Sequence, residues 1–464
     1  MPHTIAENLT RLQNAKTAIG NAITAKGGTV NSGDGLEEFA ADIATIPSGG
    51  TVSAERKDVN FYDYDGSIVY SYTADEFAEL SALPANPTHA GLTSQGWNWS
   101  LADAKAYVAD YGMLDIGQMY ITDDGKTRLY ITLTEGRLKP YLGLTGNSAG
   151  TAVSIDWDDG SAVESVTLGT STVYTPHEYA SSGDYVIKIE VTSGSISFKS
   201  ESNSSLIRKS SSNLTNEDKI YKAILNKIEI GSSVSDLGTV AFSDFVNLKY
   251  ATIPSSVGMA DLSIFTASGI SCVVVTPATT RLSTSIFNGS TSLRNILIPS
   301  SVTTLNSSVF RNCTALTSIN LPPYLTTISP SFYQCSAISN IVIPLSVTDI
   351  GANVFQNCYG LAFIKFTPTT PPSVGNVNAW TSIPSDCYIL VPYDTLDDYL
   401  NETNMPDDST YLYLCFAKYA SGVSLPTTDS DGYSLTWYAT KDDARNGVNP
   451  ITVGNGKEIY AIGV

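Results

Sequence analysis

The residues with the most potential for chemistry are three carboxylates that lie close together among tyrosines: Asp63, Asp65 and Glu76. Two carboxylates facing a glycosidic bond, one of them with a raised pKa, would hydrolyse that bond by acid and base catalysis. However, Asp65-Gly66 is sufficiently explained as the turn of a β-hairpin, for which Asp-Gly is a favoured pair. We therefore expect no catalytic residues and no enzyme activity in this chain.

Other forms of catalysis and metal binding find little support in the sequence. The chain has too few histidines to favour a Ser/His/Asp or Cys/His arrangement, namely His3, His89 and His177. Asp156, Asp158 and Asp159 could supply oxygens to calcium, which takes about six to eight such ligands. On an alternating strand and turn, these carboxylates mostly point apart. We therefore expect turn formation here, with no metal and no cofactor.

Three of the six cysteines occupy one position of a repeat, because Cys313, Cys335 and Cys358 are 22 and 23 residues apart. A zinc site would need ligands that converge on one point, usually with short Cys-x-x-Cys spacing, and no such spacing occurs. The spacing instead predicts a ladder of small buried thiols on successive coils. Reduced thiols are typical of a protein that folds in a reducing cytoplasm.

The elements that position these residues include a repeat of phenylalanine at intervals of 22 or 23 residues. The recurring residues are Phe242, Phe265, Phe287, Phe310, Phe332 and Phe355. This period is within the leucine-rich-repeat range, in which each coil carries a short strand and buries its apolar side only against a neighbour. The pattern predicts a solenoid that displays a rigid surface.

One strand position in each coil lies between two inward-facing residues. We call this line of residues the strand stripe; after Thr252 it consists of Val274, Leu297, Asn320, Val342 and Lys365. If the stripe is exposed, its apolar members would favour burial against another protomer or a ligand, whereas a scattered apolar surface is the alternative.

Two tryptophans in a loop before the solenoid are a second candidate for ligand binding. Trp97 and Trp99 flank Asn98 and could stack on sugar rings. The alternative is that both are buried aromatics that fix the loop.

The first 50 residues predict two short amphipathic helices before a glycine-rich linker. Their apolar positions are Ile5, Leu9, Leu12, Ile19 and Ile23 in the first helix, and Leu36, Phe39 and Ile43 in the second. Helices this short are marginal in water without partners. They either form a hairpin packed on the rest of the chain or serve as a docking and oligomerisation segment.

The remaining sequence predicts a multidomain, β-rich chain. An α+β module contains a hairpin over Lys57–Tyr72, helices capped by Thr73 and Ser100, and a strand pair of Met119–Thr122 with Arg128–Leu133. Alternating apolar and polar residues predict a β-sandwich next. The predicted units are the helical segment (1–50), the α+β module (51–136), the β-sandwich (137–200), the leucine-rich-repeat solenoid with its cap (201–420) and a small C-terminal β unit (421–464).

Charge and hydropathy narrow the range of partners. The 464 residues include 45 acidic and 26 basic side chains, and the net charge of -19 would repel nucleic acid and anionic membrane surfaces. No run approaches the roughly 20 apolar residues of a membrane span, and Met1–Gly28 lacks the pattern of a signal peptide. We expect neither nucleic-acid binding nor membrane insertion.

Two parts of the sequence resemble known families. The repeat Phe-x-x-Cys-x-x-Leu-x-x-Ile, best kept from Phe287 to Phe366, resembles the BspA-like leucine-rich repeats of bacterial surface proteins and phage tail proteins. Asp156–Ser161, with His177 and Tyr179, is similar to PKD-type (polycystic-kidney-disease-type) Ig-like domains.

A third resemblance concerns the N-terminus, where Leu12–Ile19 and Gly33–Phe39 look like the opening segment of tail-fibre proteins from phages of Gram-positive gut bacteria. Together the resemblances imply a virion appendage that docks on other virion proteins through its N-terminus, forms a homotrimer and binds a host-surface glycan or protein. The alternatives are a purely structural virion protein, such as a head fibre, capsid decoration or baseplate component, and then a bacterial BspA-like adhesin.

Overall fold

The computed structural model of the protein describes residues 55–198, 205–211, 216–239, 241–260, 263–406, 412–418, 423–427, 435–440, 443–444, 449–454 and 458–463. It is β-rich with few helices, as the sequence predicts. The predicted docking residues lie outside the described ranges: Ile5, Leu9, Leu12, Ile19, Ile23, Leu36, Phe39 and Ile43.

The α+β module is a four-stranded sheet, in the order β2-β1-β4-β3, with two helices. Its elements are β1 (Val59–Tyr62), β2 (Ile68–Tyr72), α1 (Ala74–Ala78), β3 (Leu92–Trp97), α2 (Leu101–Tyr111) and β4 (Leu114–Thr122). The hairpin of β1 and β2 is confirmed. The caps are confirmed as well, because the Thr73 side chain accepts from the Glu76 amide and the Ser100 side chain accepts from the Asp103 amide.

Two sheets that share one apolar core follow the α+β module. Their elements are β5 (Thr127–Leu133), β6 (Tyr141–Gly146), β7 (Thr151–Asp156), β8 (Glu164–Leu168), β9 (Val173–Pro176), β10 (Gly183–Ser193), β11 (Ile196–Ser197), β12 (Ile207–Arg208), α3 (Asn216–Lys222), β13 (Leu225–Glu229), β14 (Val234–Asp236) and β15 (Tyr250–Thr252). One sheet has the order β15-β13-β5-β10-β7-β8, and the other β12-β6-β11-β14 with β9 on β6.

The predicted pairing of Met119–Thr122 with Arg128–Leu133 is wrong. These residues belong to β4 and β5; β4 pairs with β1 and β3, whereas β5 pairs with β10 and β13. The turn between them therefore passes the chain from one sheet to another. Because β13 also pairs with β15, the sheet of the sandwich continues into the first strand of the solenoid.

The solenoid places short parallel strands in ladders. Its strands are β16 (Cys272–Val274), β17 (Arg281–Leu282), β18 (Asn295–Leu297), β19 (Thr304–Leu305), β20 (Thr327–Ile328), β21 (Asn340–Ile343), β22 (Asp349–Ile350), β23 (Phe363–Phe366), β24 (Ser373–Val374) and β25 (Tyr388–Pro392). One ladder is β17-β19-β20-β22-β24. Among the strands that carry the stripe, β16 pairs with β18 and β21 pairs with β23, which in turn pairs with β25.

The C-terminal part extends the last of these ladders. A 3-10 helix (Val377–Trp380), α4 (Leu396–Asn401), β26 (Leu412–Lys418), β27 (Leu435–Tyr438), β28 (Pro450–Ile451) and β29 (Glu458–Gly463) complete the described elements. The resulting sheet has the order β21-β23-β25-β26-β29-β27-β28, so the predicted solenoid and the C-terminal unit share a sheet.

The predicted phenylalanine column is confirmed. Neighbouring rings in the series from Phe242 to Phe355 are stacked, with centroids 5.3 to 5.8 Å apart. All six rings have no exposed surface. Trp380 stacks on Phe355 at 5.6 Å and continues the column. The sequence pattern missed this member. Each ring covers its neighbour, which is how coils too small to fold alone form one interior.

Candidate functional site

The strand stripe is covered by the α+β module of the same chain. Leu297 is 1% exposed, and it packs with Tyr62, Ile68, Cys272 and Val274 in one apolar cluster. The condition on which the binding role of the stripe depends, its exposure, is therefore not met, because β1, β2 and β4 lie against it and take up its apolar surface.

The rest of the stripe is also occupied from within the chain. Val342 packs against the core of the α+β module. Asn320 acts as a bridge, since its Oδ1 accepts from the Asp115 amide at 2.8 Å and its Nδ2 donates to the Met113 carbonyl at 3.2 Å. Lys365 is 6% exposed, forms an ion pair with Glu458 and lies 4.3 Å from the centroid of the Phe416 ring.

Side chains of the loop after β3 bind backbone carbonyls of the solenoid. Asn98 Nδ2 donates to the carbonyls of Val275 and Leu297 at 3.2 and 2.9 Å. Trp99 Nε1 donates to the Ile298 carbonyl at 3.0 Å. Because a buried donor must find an acceptor, these bonds fix how the α+β module sits on the coils.

The two predicted sugar-stacking tryptophans are buried. Trp97 is 8% exposed and its Nε1 donates to the Pro84 carbonyl, while its ring lies 4.8 Å from that of Phe61. Trp99 is 4% exposed and meets Tyr107 edge-on at 5.2 Å. Neither indole offers a free face to a sugar ring, and both match the alternative of aromatics that fix the loop.

The three carboxylates beside tyrosines are each held by a different local partner. Asp63 is buried and lies 2.7 Å from His89 Nε2. Asp65 accepts from the amide and hydroxyl of Ser67, as expected of a hairpin turn. Glu76 completes the cap of α1 and pairs with Lys57. These contacts give each carboxylate a structural partner.

The acidic turn of the sandwich is braced by basic residues. Lys188 Nζ lies 3.2 Å from Asp156 and 3.3 Å from Asp158. Asp159 lies 2.8 Å from His177, and hydrogen bonds from Ser161 and His177 lower the pKa of Asp159 to about 2. No group of three or more His, Cys, Asp or Glu among the described residues is arranged to hold a metal ion.

The predicted thiol ladder follows the phenylalanine column. Cys313, Cys335 and Cys358 are fully buried free thiols, and each donates from Sγ to the carbonyl of a phenylalanine 25 or 26 residues earlier. Burial raises the pKa of Cys358 to about 12. In an earlier coil Ser290 makes the same bond, from its Oγ to the Phe265 carbonyl at 2.6 Å. The ladder is therefore a structural feature of the coil interior.

The exposed residues in the described part of the solenoid include two surfaces that could meet a ligand. The first, which we call the hydroxyl face, lies on β17-β19-β20-β22-β24 and on the residues just before these strands. It is rich in hydroxyl groups, and its exposed members are Thr280, Arg281, Thr303, Thr304, Thr326, Thr327, Thr348, Asp349 and Ser373. Because these strands form a regular parallel ladder, the face repeats once per coil.

The second open surface is a cavity of about 320 Å³ between α2 and turns of the solenoid, which we call the tyrosine cleft. Helix α2 contributes Asp103, Tyr107, Asp110 and Tyr111, and the solenoid contributes Tyr324 and Leu345. Sequence reasoning missed this cleft. The only signal was the spacing of Asp103, Tyr107 and Asp110, which places them on one helix face.

Stacked coils with a short strand on each side and a continuous apolar column define a leucine-rich-repeat solenoid. The BspA type Leucine rich repeat region, in six copies, matches residues 187–294 and 261–376. The repeats of this chain are therefore of the BspA type, as their sequence resemblance implies.

Several solved structures are similar to part of the chain. They include TpLRR, a leucine rich repeat protein of T. pallidum, at 18% identity over 42% of this chain and 87% of that one, with a TM-score of 0.25. A leucine rich cell surface protein of Faecalibacterium prausnitzii is 17% identical, over 38% and 62%, with a TM-score of 0.24. A leucine-rich repeat protein of Bacteroides ovatus is 20% identical, over 41% and 63%, with a TM-score of 0.28.

No curated protein matches the chain significantly. Within the described residues, no helix has both the length and the apolar character needed to cross a membrane.

Proposed function

We propose that this chain is a non-enzymatic attachment protein, a phage virion appendage of the tail-fibre or receptor-binding type. The observation that carries the proposal is the hydroxyl face, a rigid and repeating polar surface on a BspA-type solenoid. A repeating ligand, such as a cell-surface glycan, would meet equivalent hydroxyl groups on several coils. Attachment of this kind would need several weak contacts at once, which a homotrimer would multiply.

In this proposal the other units support the hydroxyl face. The α+β module covers the strand stripe and stiffens the coils. A cell-surface ligand would therefore bind to the ladder β17-β19-β20-β22-β24. The sandwich would act as a PKD-type spacer. Residues 1–50 would dock on other virion proteins and form the trimer, which would place the chain on the exterior of the particle.

The test is a comparison of cell-wall binding by two double variants of the full chain. Thr304→Glu with Thr327→Glu adds negative charge to the hydroxyl face, and we expect it to abolish binding to host cells. Thr167→Glu with Thr170→Glu makes the same chemical change at exposed threonines of the sandwich and should leave binding intact. Equal binding by both variants would remove the hydroxyl face from the proposal.

A purely structural virion role is the second candidate, and the covered strand stripe favours it. The apolar residues of the stripe serve contacts within the chain. Immunogold labelling of purified particles would locate the protein. Particles that lack it and still adsorb to cells would favour the structural role over attachment.

A further inference from the structure

The tyrosine cleft has rigid aromatic walls. Trp99, at its inner end, donates from Nε1 to the Ile298 carbonyl, and the Tyr107 hydroxyl donates to the Leu321 carbonyl at 2.9 Å. Tyr111 is buried beside Tyr107, with ring centroids 4.4 Å apart. Trp99 and Tyr107 are only 4% and 3% exposed, so they hold the inner wall of the cleft in place without offering a ring face of their own.

The outer wall of the cleft is apolar and exposed. Tyr324 is 64% exposed and Leu345 is 59% exposed. Tyr324 follows Pro323, and Leu345 follows Pro344 directly after β21. Tyr324 therefore presents an exposed aromatic ring to the cleft.

The charges at the cleft are of one sign. Asp103 and Asp110 are exposed on α2, two helical turns apart, and no Lys, Arg or His lines the cleft. Asp103 is held by the Ser100 hydroxyl at 2.8 Å, whereas Asp110 points from the last turn of the helix. A carboxylate at a helix C-terminus is slightly unfavourable for the helix, so Asp110 does not serve to stabilise α2.

We propose that the tyrosine cleft binds an ammonium-bearing ligand, such as a protonated amino sugar. A cation over an aromatic face is attracted by the electrons of the ring, and carboxylates at the rim strengthen this attraction. An anionic ligand would be repelled by Asp103 and Asp110. This site is separate from the hydroxyl face and does not depend on the attachment role.

The test uses two sugars of the same shape, glucosamine and glucose, titrated into the full chain and followed by saturation-transfer NMR. The titration is made at mildly acidic pH, where the glucosamine amine is protonated. We expect glucosamine to bind about two- to fivefold more tightly than glucose, as one exposed cation–π contact allows. Asp110→Asn should remove most of this preference, and Tyr324→Ala should weaken glucosamine binding.

Two matched variants control for general effects of charge and aromatic loss. Asp398→Asn removes an exposed carboxylate from α4, and Tyr359→Ala removes a tyrosine that is 59% exposed outside the cleft. Neither should change binding. The proposal is overturned if glucose binds as tightly as glucosamine, if neither sugar binds, or if the control variants weaken binding as much as the cleft variants. Wall binding through the hydroxyl face would survive each of these outcomes.

Discussion

Gly117 of the α+β module runs so close to Val274 of the solenoid that a Cβ at position 117 would stand 2.6 Å from Val274 Cγ1. Leu297 Cδ1 would be 2.8 Å away. Gly117→Ala therefore forces buried side chains to shift, and we expect it to lower the free energy of unfolding by about 1–3 kcal/mol. Urea denaturation followed by tryptophan fluorescence measures this change.

The control is Gly169→Ala, because a Cβ at position 169 has no atom within 4 Å. This variant should unfold at nearly the parent urea concentration. If Gly117→Ala were equally stable, the α+β module would not be packed on the strand stripe in solution.

The solenoid could be predicted because its period is carried by one residue type. Phenylalanine marks six consecutive coils, and each ring needs the same neighbour above and below it. Trp380 was missed because the residue type changes and because it lies 25 residues after Phe355, outside the usual interval. Local spacing thus predicts the interior of the coils but not its ends.

Contacts between distant segments could not be predicted. Leu297 and Val342 have the same apolar character whether they face a receptor or the α+β module. The sequence alone therefore does not show which of these surfaces covers them. Asp123-Asp124-Gly125 has the composition of a hairpin turn, yet β4 and β5 find partners elsewhere in the chain. In both cases the deciding interaction is far away in sequence.

The thiol ladder predicts different costs for two substitutions of Cys335. Its Sγ donates to the Phe310 carbonyl at 3.0 Å, in a position where Ser290 makes the equivalent bond in an earlier coil. Cys335→Ser keeps the donor, and we expect a loss of less than about 1 kcal/mol. Cys335→Val removes the donor and adds bulk to a fully packed coil, which should cost about 1–3 kcal/mol. Thermal unfolding would compare them, and a Val variant more stable than the Ser variant would contradict the hydrogen-bonded ladder.

Stability should fall at alkaline pH. Burial raises the pKa of Cys358 to about 12 from a usual value of 9.0. Burial and, as a smaller cause, the hydrogen bond to Glu229 raise the pKa of Tyr130 to about 12 from 10.0. The folded state therefore holds these protons more tightly than the unfolded state does. The contribution of these two groups to the free energy of unfolding is complete below their unfolded-state pKa values. It is lost as pH rises through about 9 to 12.

Urea denaturation at a series of pH values would show this decline. Cys358→Ser, which does not titrate in this range, should flatten part of the slope. A free energy of unfolding that stays constant between neutral pH and the folded pKa values would show that these groups are not buried as described.

A repeated left-handed backbone position offers a stabilising substitution. The residue two after each phenylalanine has a positive φ in successive coils, and its amide donates to the next coil; examples are Asn312, with φ 61°, and Asn357, with φ 64°. Ala267 occupies this position with φ 52°, and its amide donates to the Asn288 carbonyl at 2.8 Å. Alanine is strained in this region because its Cβ approaches the following carbonyl, whereas glycine is not.

Ala267→Gly should therefore raise the free energy of unfolding by about 0.5–1 kcal/mol, even though glycine gains freedom in the unfolded chain. The matched control is Ala362→Gly, at an exposed residue without a positive φ, where the same change should destabilise the protein by a similar amount. Urea denaturation of the two variants should thus give shifts of opposite sign. Two shifts in the destabilising direction would mean that Ala267 does not adopt the left-handed conformation in solution.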